Sequence, residues 1–156
     1  MSAATATQAA SGTGSVAGTY LTFQVANEEY GIEILKVREI IGMLPITPVP
    51  GSPPVMQGVV NLRGKVIPVL SMRNRFSLPP GEPHEHNVII VVDDGKGGQI
   101  GLAVDRVREV ANFTAADTEP PPAYGMSIDA SMVAALGKSQ NRIRILLDLA
   151  KVLVAV

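Results

Sequence analysis

His84 and His86 are the only histidines of this chain, and they lie two positions apart among Glu82, Pro83 and Glu85. A His-x-His pair on a strand sends both rings to one face, as two nitrogen ligands of a zinc ion require. Here the pair sits in a proline-flanked stretch, and the chain has no cysteine or third histidine to complete a tetrahedral set. The same shortage argues against nucleophilic catalysis, because a serine nucleophile needs an imidazole positioned as its base. The acidic residues are scattered. Asp93-Asp94 falls in a turn-like stretch, where Asp commonly bonds nearby backbone. Asp105 and Asp148 each precede a helix-like turn and read as caps. No carboxylate pair is singled out for acid/base work. Gly12-x-Gly14 with Gly18 has the glycines of a phosphate loop but no strand before it, so that context fails. These residues predict a protein that is not an enzyme and that uses no metal and no cofactor.

Composition narrows the partners. The chain has 156 residues and a net charge of −1, with 13 basic and 14 acidic residues mixed along its length. A nucleic-acid binder carries a basic face instead, and three Tyr, three Phe and no Trp leave little for base stacking. Nucleic acid is therefore not expected as a partner. The absence of cysteine excludes disulfides and fits a reducing compartment. No Lys or Arg precedes Lys36, so the positive start of a signal peptide is missing. The apolar run from Ile143 to Val156 is broken by Arg144, Asp148 and Lys151, and is too short and too charged to span a bilayer. The expectation is a cytoplasmic protein with no direct membrane insertion. What remains is apolar surface: 46% of residues are hydrophobic, enough to serve both a core and partner contacts.

The elements that must position such contacts are short strands. Residues 1–18 are mostly Ala, Ser, Thr and Gly without periodicity and predict a disordered tail. Leu21, Phe23 and Val25 then alternate as a half-buried strand. Residues 26–29 make a turn, and Tyr30, Ile32 and Ile34 alternate again to complete a hairpin. Residues 35–41 shift toward helical spacing. Five prolines between Pro45 and Pro54 predict an extended connection. Asn61 to Gly64 reads as a turn, and Lys65 to Leu70 as a strand with Pro68 at an edge or a bulge. Ser71 is suited to cap a short helix. Residues 77–87, rich in proline, separate this half from the next. In the second half, Asn87–Val92 and Gln99–Val104 predict another hairpin, and Met132–Leu136 pairs with Arg142–Leu147.

The two halves echo one another. Gly31-Ile32-Glu33-Ile34-Leu35-Lys36-Val37-Arg38-Glu39-Ile40 aligns without a gap on Gly101-Leu102-Ala103-Val104-Asp105-Arg106-Val107-Arg108-Glu109-Val110. Each copy follows a strand-like run and precedes an apolar run, Val66 to Phe76 or Ile143 to Leu153. Such a period points to two copies of a small unit. Units of this size bury too little surface to stand alone, so the copies should share a core. Many short strands with Gly/Pro turns indicate small all-β barrels.

Glu28 to Ile40, the run Gly58-Val59-Val60-Asn61-Leu62-Arg63-Gly64-Lys65-Val66-Ile67-Pro68-Val69-Leu70, Gly101 to Val107 and Ile145 to Asp148 together resemble the CheW family of bacterial chemotaxis coupling proteins. The likeness runs from about Tyr20 to Leu153. It implies two intertwined five-stranded SH3-like barrels around a common core, with short helical turns. These would occupy about 19–80 and 86–156 with exchanged edge strands. It also implies an adaptor without catalysis, linking the cytoplasmic domain of chemoreceptors (methyl-accepting chemotaxis proteins) to the regulatory domain of the histidine kinase CheA. Matched positions put receptor contact at Ile34, Val37, Glu39, Ile40, Gly58 and Arg63, with Val104 and Val107 as the other wall of a groove. An ion pair between Glu39 and Arg63 is expected there. No residues are assigned to the kinase. Ser71 stands where the family usually has Asp, which keeps the cap and loses a charge. Two other readings compete: a CheW-like module of a larger signalling protein, and a small-ligand or metal-binding barrel using the His84–His86 loop.

Overall fold

The computed structural model describes residues 17–122 and 128–155, so the tail expected over residues 1–18 lies almost wholly outside it; Gly18 already opens the first strand. Eleven strands are found among the described residues: β1 (Gly18–Val25), β2 (Glu28–Glu33), β3 (Val37–Gly42), β4 (Met56–Leu62), β5 (Lys65–Ser71), β6 (Val88–Asp93), β7 (Gln99–Val104), β8 (Arg106–Phe113), β9 (Thr118–Glu119), β10 (Val133–Ser139) and β11 (Arg142–Leu147). Two one-turn helices follow the strands that end each copy, α1 (Met72–Arg75) and α2 (Leu149–Val152). The helical spacing read over residues 35–41 resolves into a 3-10 turn at Ile34–Lys36 followed by strand.

The strands form one sheet in the order β8-β1-β2-β11-β10-β9 and a second in the order β3-β6-β7-β5-β4. The protein is all-β and, as expected, consists of two small SH3-like barrels. Their strands do not follow a division of the chain near residues 80–86. The hairpin β1-β2 of the first copy joins β8, β10 and β11 of the second, while β6-β7 of the second joins β3, β4 and β5 of the first. Nor are edge strands what is exchanged, since β1, β2, β6 and β7 all stand inside their sheets. The echo marks the crossing: β2 leads into β3 and β7 into β8, and each step passes from one sheet to the other.

The equivalence extends to pairing. Gly31 in β2 lies beside Leu146 in β11, and Gly101 in β7 beside Val69 in β5, both in parallel register. A Cβ on Gly31 would meet Leu146 Cδ2 at 3.0 Å, and one on Gly101 would meet Ile89 Cγ2 at 2.6 Å, so both glycines admit close neighbours. Pro68 occupies an interior strand, neither an edge nor a bulge. Val59 opposite it exchanges both backbone groups with Thr47, at 2.9 Å each. Pro68 therefore faces a non-hydrogen-bonded pair, and the β7 ladder starts one residue later at Val69.

The largest apolar cluster lies between the sheets. It draws Leu21, Phe23 and Ile32 from one and Ile90, Leu102 and Val104 from the other. The barrel interiors are smaller: Val60, Ile67, Val69, Ile89 and Val91 in one, and Tyr20, Phe113 and Leu146 in the other. A shared core is what units too small to bury enough surface alone require. Ser71 caps α1 by accepting from the Asn74 N–H at 3.2 Å. Asp148 holds the corresponding place before α2, but its backbone carbonyl, not its side chain, accepts from Lys151 and Val152.

Tyr30 lies in the shared core with its ring stacked 4.7 Å from Phe76 and 6.0 Å from Phe23. Its hydroxyl is buried and has no hydrogen-bond partner among the described residues, and burial together with the Glu28 charge pushes its pKa up to about 12. A neutral hydroxyl enclosed without a partner is destabilising. Tyr30→Phe is expected to raise stability by about 1 kcal/mol, or roughly 2–4 °C in melting temperature. A lower melting temperature would mean that the hydroxyl is satisfied in solution.

Candidate interaction surface

The Val-Arg-Glu tripeptide common to both copies is a β-bulge. In β3, Val37 stands opposite Val92 and Glu39 opposite Val91, which leaves Arg38 as the extra residue. In β8, Val107 stands opposite Phe23 and Glu109 opposite Thr22, which leaves Arg108. An extra residue shifts the alternation of faces. Val37 and Ile40 thereby share the face of Val92 and Ile90, and Val107 and Val110 that of Phe23 and Leu21. Ile34, Val37 and Val107 are half-buried against the shared core, while Ile40 and Val110 are 43% and 57% exposed. Each copy thus presents an apolar strip running out of the shared core onto the surface.

Charges sit beside each strip. The β4–β5 turn places Arg63 at φ 52° and Gly64 at φ 86°, the pattern of a two-residue hairpin loop. Asn61 Oδ1 accepts from the Gly64 N–H at 2.8 Å and fixes the turn. Arg63 then donates to Glu39 Oε1 at 2.5 Å, so the expected ion pair forms, and that hydrogen bond raises the pKa of its guanidinium. Arg38 on the bulge pairs with Asp93, whose carboxyl is held below its usual range chiefly by that hydrogen bond.

The second copy carries a larger network that the sequence reading did not anticipate. Arg144 of β11 is 1% exposed and donates to Glu29 Oε1 at 2.9 Å and to Glu109 Oε2 at 2.5 Å. Its guanidinium lies over the Phe113 ring, 5.8 Å from the centroid. Arg142 bonds the same carboxylates at 3.3 and 2.9 Å, and Arg108 lies 3.9 Å from Glu29. Three strands supply these groups, with Glu29 of β2 more than a hundred residues from the arginines of β11 and Glu109 of β8 some thirty-five residues from them. The local signal was an arginine among the apolar residues Ile143, Ile145, Leu146 and Leu147.

Of the eight residues assigned by resemblance, Glu39 and Arg63 are in direct contact, and Ile34, Val37 and Ile40 lie on the same bulged segment. Val104 is 4% exposed and belongs to the shared core. Gly58 is buried beneath Thr47. Asp105 is not a cap. Its carboxylate accepts from Arg73 at 3.0 and 2.6 Å and from the Ala26 N–H at 2.8 Å, tying α1 to the β1–β2 turn. The Arg73–Asp105 pair borders a cleft of about 270 Å³ that Met43, Gln57, Asn87 and Val104 also line. Asp94 serves its turn as read, accepting from Lys96 and Gly98. His84 and His86 lie in a loop with ring centroids 4.8 Å apart. No group of three or more metal-ligating side chains is found among the described residues.

A family model described as CheW-like domain matches residues 19–156. The chain belongs to the CheW family. It is 36% identical over 134 residues to the chemotaxis protein CheW of Klebsiella aerogenes, covering 86% of this chain and 80% of that one. It is 31% identical over 129 residues to the chemotaxis protein CheW of Bacillus subtilis, covering 82% and 81%. The crystal structure of the scaffolding protein TtCheW from Thermoanaerobacter tengcongensis superposes with a TM-score of 0.79 at 32% identity, over 87% of this chain and 92% of that one. CheW membership makes this chain a chemotaxis scaffold without catalysis. Among the described residues no helix is long and apolar enough to cross a membrane.

Proposed function

We propose that this CheW-family protein couples the cytoplasmic domain of chemoreceptors to the regulatory domain of the kinase CheA, and does so in the cytoplasm. The observation that carries the reading is the strip Ile34, Val37 and Ile40 beside the Glu39–Arg63 pair. Apolar side chains rising from a core onto a surface, next to a fixed charge pair, suit a partner that buries area and is selected by charge. Ile34, Val37, Glu39, Ile40 and Arg63 are the receptor-contacting set in this reading. Val107 extends it on the second copy, and Gly58 and Val104 act from beneath.

Glu39→Lys tests it. The pair with Arg63 is exposed on the arginine side, at 70% of the side chain, and exposed pairs add little to folding. The variant should melt like the wild type. It should bind a receptor cytoplasmic fragment at least tenfold more weakly, and stimulate CheA autophosphorylation less in a reconstituted complex. Unchanged receptor affinity in a normally folded Glu39→Lys protein would place the docking surface elsewhere.

A further inference from the structure

The two barrels have diverged at one set of equivalent positions. Counting two residues back from Leu146 and from Val69, which lie beside the echoing glycines, gives Arg144 in one barrel and Ile67 in the other. Counting two back from the glycines gives Glu29 and Gln99. Ile67 is 1% exposed, as Arg144 is, so this fold accepts an isoleucine where the other barrel buries a guanidinium. A buried charge network is rarely more stabilising than an apolar side chain in the same space. Folding alone therefore gives no reason for the network, and its outer face does.

Glu29 and Glu109 are taken up from within by Arg144 and from the rim by Arg142. Arg108 retains one ion pair, at 3.9 Å, and the Arg106 side chain, on a strand residue paired with Gln24, forms no hydrogen bond or ion pair among the described residues. Arg106, Arg108 and Arg142 line a cleft of about 150 Å³ with Val107 and Glu109. Four guanidiniums thus stand against two carboxylates already engaged, on a chain whose net charge is −1. Each guanidinium carries five donors in a planar fork suited to a carboxylate.

We propose that this cleft receives an acidic side chain of the docked receptor, held by Arg106 and Arg108. The cleft has room for a carboxylate and its stem rather than a whole nucleotide. Val107 in the cleft and exposed Val110 beside it give the flanking residues of a protein segment something apolar to cover. Buried Arg144 is a positioning residue: it holds both glutamates and leaves the outer arginines undercompensated. The assignment of the partner rests on the receptor-coupling reading above.

The test is a titration of the full chain with a receptor cytoplasmic fragment at several salt concentrations. Arg106→Gln breaks no intramolecular bond among the described residues, so it should melt like the wild type. Its expected effect is a three- to tenfold loss of affinity, deepening beyond tenfold in Arg106→Gln/Arg108→Gln, with a shallower dependence on salt. Should the double variant fold poorly, Arg106→Gln and Arg106→Glu carry the test, the latter with the larger loss. Wild-type affinity and an unchanged salt slope in these variants would overturn the arginine cleft while leaving the receptor reading in place. Failure of the wild type to bind the fragment would overturn both.

Discussion

Gly58→Ala is expected to destabilise the protein by about 3–5 kcal/mol, a large part of the roughly 5–15 kcal/mol that holds a domain of this kind folded. Gly58 has φ 151°, and a Cβ there would lie 2.3 Å from the Thr47 carbonyl oxygen and 2.8 Å from Ile46 Cγ2. The oxygen cannot retreat without loss, because it accepts from the Val59 N–H in the bridge that seats the proline-rich connection on β4. Gly64→Ala serves as the comparison: its φ is 86°, but nothing lies within 4 Å of the added carbon. Urea denaturation of the two should show a modest loss at Gly64 and a severe one at Gly58. Equal midpoints would mean that the Thr47 segment yields freely. The result also governs how binding data are read. A Gly58 variant that no longer binds receptor would be reporting the displaced connection that covers it, not a lost contact.

The second large effect concerns Arg144. Glu29→Ala/Glu109→Ala removes both carboxylates from a guanidinium that is 1% exposed, and stranding a buried charge in this way costs about 3–5 kcal/mol. Arg144→Met removes the charge and keeps much of the volume, in a position whose counterpart in the other barrel is Ile67. It should fall within about 1 kcal/mol of the wild type or above it. Thermal melts of both proteins decide this. A severe loss in Arg144→Met would mean that the network itself holds the barrel together, against the reasoning from Ile67.

The parts of this architecture that depend on local pattern were legible in the sequence. Alternating Leu21, Phe23 and Val25 identified a strand, Asn61 to Gly64 a hairpin turn, and Ser71 a cap, because each depends on a few neighbouring residues. The Glu39–Arg63 pair followed from the family resemblance. The exchange of hairpins between copies was not legible. Two equivalent segments carry the same pattern, and nothing in either says which copy's strands it will join. Pro68 misled because the partner that makes it harmless, Thr47 bonded across Val59, is not its neighbour in sequence. Asp105 looked like a cap from its place before a turn, whereas Arg73 and Ala26 claim its carboxylate from elements far along the chain. Arg144 appeared only as an interruption in an apolar run. Its burial depends on glutamates that arrive from β2 and β8.

The exchange of hairpins has a consequence for how such a chain could have originated and how it must now fold. A single unit of about seventy residues contributes a hairpin to one barrel and three strands to the other, so it cannot close a barrel by itself. Two separate copies, meeting as a symmetric dimer with swapped elements, would complete both. The stretch of residues 77–87 turns that encounter into an intramolecular one, replacing dependence on protein concentration with an effective concentration set by a short tether. It also defers completion. During synthesis β1 and β2 must wait for strands that begin at Arg106 and end at Leu147, and pairings so distant in sequence make for slow folding.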